Sequence, residues 1–171
     1  IESGRAFVLL AQLGTTVLVA LFARRLMDDY AALSASLLYV LMVPAFAGFQ
    51  LLADPFLAFF GMLAAAIAYK AVSLNGRNDC AWWAAAGFAV GLAAATRQSG
   101  AWQVGAIMGI AVLACAKGRR AWSAGLVLVG AAIPFSLLAA YYSLQGGLSQ
   151  LLYGVFLGPA KLTADLAATP Y

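Results

Sequence analysis

The chain has no histidine, only two cysteines, and few charges for its 171 residues: ten Lys and Arg and six Asp and Glu, 9% of the whole. A soluble domain is about a quarter charged. So few charged groups cannot wrap the core that 65% hydrophobic residues would make, which excludes a water-soluble fold. Without histidine there is no Ser/His/Asp set and no imidazole acid–base group. Cys80 and Cys115 lack metal-ligand spacing, so they read as two small apolar residues, not as a disulfide or zinc site. No Gly-rich phosphate loop or ligand cluster is present either; no cofactor is identified, and dependence on a divalent metal is left open. The basic residues are scattered singly or in pairs, a pattern of membrane loops and not of a nucleic-acid surface.

What is present is long apolar sequence, with a mean hydropathy of +0.93. A spanning helix needs about 20 apolar residues. Six stretches approach this: Ala6–Ala23, Ala31–Ala53, Pro55–Leu74, Ala81–Thr96, Ser99–Ala116 and Ala121–Tyr142. Strand-type alternation is absent, and helices satisfy their own backbone in lipid. The expected fold is therefore all-α, a polytopic transmembrane bundle of about six spanning helices. Trp82 and Trp83 are expected to anchor the short fourth helix at the interface. Pro44 and Pro134 are expected to kink their helices. Gly87, Gly91, Gly105 and Gly109 are expected to let helices pack closely within the chain.

The loops set the orientation. With the first helix running inward, the inner side holds Arg24, Arg25, Lys70, Arg77, Lys117, Arg119 and Arg120, and the outer side Arg5, Arg97 and Lys161. That division obeys the positive-inside rule. Residues 1–142 then form the membrane core. Residues 143–171, more polar and containing Gly146-Gly147, Pro159 and Pro170, form an outer loop or interfacial segment, with an amphipathic stretch around Leu151–Leu157. Nothing at the start resembles a signal peptide, and the abrupt ends at Ile1 and Tyr171 lead us to expect a piece of a longer protein.

Most charges simply end helices. Asp54 differs, because it interrupts apolar sequence directly before Pro55 and a Phe-rich run. A carboxylate at a helix centre in a membrane costs about 2.5–3.5 kcal/mol and less near an interface, and such groups mark functional sites. The plainer reading is a helix cap with proline at the first helical position. Arg97-Gln98 splits the apolar sequence from Ala81 to Ala116 and emerges on the same outer face. An arginine there suits bidentate binding of phosphate. It also suits a plain loop charge, or a salt bridge to Asp54 with no ligand. Arg5 is a third outer cation, of a kind that snorkelling alone explains.

In order, the chain shows Gly4-Arg5, Ala23-Arg24-Arg25, Pro44, Ala53-Asp54-Pro55, and the run from Trp82-Trp83 to Gly91-Leu92-Ala93-Ala94-Ala95-Thr96-Arg97. This order resembles the membrane core of protein O-mannosyltransferases and aminoarabinose-transferase-like glycosyltransferases of the GT-C fold, over about residues 4 to 116. In that family the corresponding helix often ends G-L-A-x-L-T-K. The resemblance implies transfer of a sugar from a polyprenyl-phosphate carrier to an acceptor on the outer face, in a bacterial inner membrane. The partners it implies are the lipid-linked donor and the bilayer. It places Asp54 at the acidic residue of the second outer loop and Arg97 where many members carry lysine. Arg97-Gln98 resembles the pair found in lipid-linked glucosyltransferases. The family's presumed catalytic base lies in a first outer loop with no counterpart here, so the substrate-binding candidates are Asp54, Arg97, Gln98 and Arg5, and no catalytic residue is assigned. Half of a helical transporter is the alternative, and a non-catalytic scaffold a third.

Overall fold

A computed structural model describes residues 2–47, 54–74, 79–97 and 99–153. Helix follows helix: α1 (Glu2–Leu26), α2 (Asp29–Ala47), α3 (Asp54–Ser73), α4 (Asp79–Thr96), α5 (Gly100–Ala114), a 3-10 turn at Lys117–Arg119, α6 (Arg120–Leu144) and α7 (Leu148–Leu152). Among the described residues there is no strand. The described residues are all-α, as the sequence leads one to expect. The described part of each of the six apolar stretches falls mainly on one of the first six helices, residues 48–53 of the second stretch lying outside the described residues.

By length and composition, three segments suffice to cross a membrane: Ala6–Leu26, Asp54–Ser73 and Lys117–Leu144. Asp29–Met42 and Gly100–Ala114 are shorter apolar helices. At about 1.5 Å per residue, the 15 residues of α5 extend about 22 Å. α1 and α2 display rows of exposed leucines, including Leu10, Leu13, Leu33 and Leu41. In water such a face would drive aggregation, whereas lipid is its natural solvent. The chain is an integral membrane protein.

Helix ends follow local chemistry. Asp28 caps α2 by accepting a hydrogen bond from the Ala31 amide at 2.7 Å. Arg24 and Arg25 close α1, where the helix dipole favours cations, and Arg24 pairs with Asp29 at 2.7 Å. Arg25 also lies 5.1 Å over the Tyr69 ring, and Phe22 packs edge-on against the same ring, which ties α1 to α3.

The core joins α3, α4, α5 and the first half of α6 through small side chains, chiefly alanines, around Trp83, Val90, Ile107 and Val127. Small residues let the backbones approach. A side chain on Gly87 would collide with the backbone of Val127, one on Gly91 with that of Ala131, and one on Gly130 with that of Ala84.

Two expectations are corrected here. Trp83 is not an interfacial anchor but fully buried, while its neighbour Trp82 is 39% exposed. Consecutive helical residues point about 100° apart, and Trp83 shares the inward face with Ala86, Gly87 and Val90. Gly105 and Gly109 meet nothing among the described residues. They lie opposite the inward face of α5, which is marked by Gly100, Ile107 and Ala111.

The chain divides into two compact units, Ile1–Ile133 and Pro134–Tyr171, so the division falls inside α6. The helix continues through Pro134, which has no N–H to give to the carbonyl of Gly130. In the second unit α6 ends in a turn where Gly146 takes a positive φ of 70°, and the Gly147 amide donates to the Tyr142 carbonyl at 2.8 Å. α7 covers the start of the proposed amphipathic stretch; residues 154–157 lie outside the described residues.

Candidate functional site

α3 and α4 run in opposite directions, so the start of α3 and the end of α4 meet at one end of the first unit. Asp54 stands in the first turn of α3, just before the buried Pro55. Arg97 follows the last residue of α4, its amide still donating to the Ala93 carbonyl at 3.3 Å. The Arg97 guanidinium donates through Nη1 to Asp54 Oδ1, across 43 residues of sequence. Each charge sits at the helix end whose dipole favours it, the carboxylate at an N-terminus and the cation at a C-terminus.

The turn after Arg97 fixes its position. The Gly100 amide donates to the Arg97 carbonyl at 2.8 Å. Gly100 is pressed so close to α4 that an added Cβ would lie 2.6 Å from the Ala93 carbonyl oxygen. Only glycine allows α5 to start this near to α4.

The pair is half open, with 54% of the Arg97 side chain and 40% of that of Asp54 exposed. A guanidinium carries five N–H donors in a planar fork. Among the described residues Asp54 is its one side-chain partner, so much of the fork faces outward. The arrangement can grip an anion with the geometry of a phosphate while the carboxylate holds the guanidinium in place.

Of the four residues proposed from sequence, the structure brings Asp54 and Arg97 together. Gln98 lies outside the described residues. Arg5 falls within α1, but its side chain is likewise outside them. The described residues contain no group of three or more His, Cys, Asp or Glu able to hold a metal ion.

Two polar groups escape sequence reasoning. Gln103, on the first turn of α5, carries a buried Oε1 without a partner among the described residues and presses on Gly61 of α3. Asp79, at the opposite end of the unit, is 3% exposed and accepts a 2.6 Å hydrogen bond from Arg119 Nη2. Gln103 is an uncharged residue inside the apolar stretch Ser99–Ala116, and Asp79 stands just before the stretch that begins at Ala81, so neither shows the lone charge breaking apolar sequence that marks Asp54.

Comparison with known proteins agrees with the membrane architecture. No curated protein and no solved structure matches the chain. A family profile, described as dolichyl-phosphate-mannose-protein mannosyltransferase, matches residues 1–143. With most of its length covered by that match, the chain belongs to the dolichyl-phosphate-mannose-protein mannosyltransferase family, a family of membrane glycosyltransferases.

Proposed function

We propose that the protein transfers a sugar from a polyprenyl-phosphate carrier to an acceptor on the outer face of a bacterial inner membrane. Arg97 binds the carrier phosphate, and Asp54 holds Arg97 in position. The observation that carries this reading is the half-open ion pair joining the ends of α3 and α4.

In such a transfer the bond between the sugar C1 and the phosphate oxygen breaks as the acceptor oxygen bonds to C1. The electron pair stays on the phosphate, where negative charge grows. A pre-positioned guanidinium stabilises that growing charge more than it stabilises the intact donor, which lowers the barrier. Asp54 is already committed to the guanidinium, so we give it a positioning role and not that of the base that takes the acceptor proton. Gln98 and Arg5 are secondary contacts in this proposal.

The test measures sugar transfer from a polyprenyl-phosphate donor in membranes containing the protein with its native flanking sequence. Arg97→Ala is expected to reduce the rate by about 10²–10³, the loss typical of removing one preorganised donor. Arg97→Lys is expected to recover part of it, since lysine keeps charge without the fork. Full transfer by Arg97→Ala would end the proposal.

A further inference from the structure

The opposite end of the same unit holds a second polar feature, independent of the ion pair at Arg97. A cavity of about 290 Å³ opens between the end of α3, the start of α4 and the turn joining α5 to α6. Ala71, Val72, Ala114 and Ala116 form its apolar walls, and Asp79 and Arg119 are its charged residues. Asp79 Oδ1 accepts from Arg119 at 2.6 Å and faces the Cys80 thiol at 3.8 Å. The other oxygen of that carboxylate accepts no hydrogen bond among the described residues. Lys117 and Arg120 flank the turn, and Arg120 Nε donates to the Cys115 carbonyl at 3.2 Å. Trp122 is 61% exposed and donates its indole N–H to Cys80 Sγ at 3.4 Å.

Each element narrows the ligand. Exposed indole rings and clustered cations at the end of a membrane helix mark headgroup depth. Basic pockets between helices at that depth attract lipid phosphates. Asp79 can position Arg119 for any anion, but a purely anionic ligand would leave its second oxygen unmatched, whereas a phosphate bearing an amine or hydroxyl supplies a donor to it. The apolar walls accept the glycerol portion. We propose that this cavity binds a phospholipid headgroup, with the phosphate on the Arg119 side and an ammonium or hydroxyl donor on Asp79.

The test uses the full chain, purified in detergent and analysed by native mass spectrometry with added phosphatidylethanolamine, phosphatidylglycerol or phosphatidylcholine. The first two carry N–H or O–H donors and choline does not. A charge-assisted hydrogen bond gained in the first two is worth about tenfold in retention over phosphatidylcholine. Asp79→Asn should bring the three lipids close to parity. Ala116→Phe, at the exposed rim, should block all three while leaving the ion pair and the fold intact, as checked by circular dichroism. Equal retention of the three lipids by the unaltered protein overturns the proposal, as does unchanged retention in Ala116→Phe. Free phosphoethanolamine or glycerol phosphate serves as a separate arm. Displacement of lipid by either at equal concentration would overturn the lipid as the ligand.

Discussion

Arg97 and Asp54 form a half-exposed pair, and pairs of that kind stabilise a fold by about 0.2–1 kcal/mol. Its contribution to stability and its contribution to phosphate binding should therefore separate. In a double-mutant cycle of Asp54→Asn and Arg97→Gln, the coupling in unfolding free energy is expected to stay below about 1 kcal/mol. Transfer should fall far more than that stability change accounts for. A coupling of several kcal/mol with transfer intact would instead make the pair a structural clamp. Gln103 gives a second contrast. Its buried oxygen, without a partner among the described residues, carries a desolvation cost, so Gln103→Met, close in shape and without the amide, should hold or raise the melting temperature in nanodiscs. A clear drop would show that the amide is satisfied. Asp54 and Arg97 were legible in the sequence because each breaks an apolar run on the same predicted face. Asp79 was not, because an aspartate at a helix start looks like a cap, and its partner Arg119 lies 40 residues away in sequence.

At the scale of elements, the approach of α4 to α6 rests on Gly87, Gly91 and Gly130. Gly130→Val should cost about 1–3 kcal/mol or more, since backbone and not a flexible side chain stands in the way. Gly105→Ala should be neutral or stabilising by up to about 1 kcal/mol, because its surroundings are open and alanine favours helix. Thermal unfolding of the two variants in one detergent checks both, and equal effects would contradict the observed packing. The helices were readable because apolar length, proline and charge are local signals. Which glycines touch was not, because that depends on the rotation of each helix about its axis. Along α4 and α5 the apolar residues run nearly all round, so periodicity marks no preferred face. Trp82 and Trp83 show the same limit: the sequence placed both at the interface, and the helical rotation sends one of them inward.

At the scale of the molecule, the charge distribution predicts a topology that labelling can test. With Cys80 and Cys115 replaced by serine, a cysteine at Gly118 should react only from the cytosolic side and one at Ser99 only from the opposite side. Both positions are exposed, so access is not limited by burial. Labelling of both from one side would remove the outer placement of Arg97. The brevity of α5 has a consequence for the membrane itself. A helix of about 22 Å is shorter than a hydrocarbon layer of about 30 Å, so a bilayer around this flank is expected to thin to match it. Arg97 lies just before this helix and the Asp79–Arg119 cavity at its other end. On the proposed reading of the two sites, thinning there would bring the lipid phosphates of each leaflet down toward Arg97 and toward the cavity.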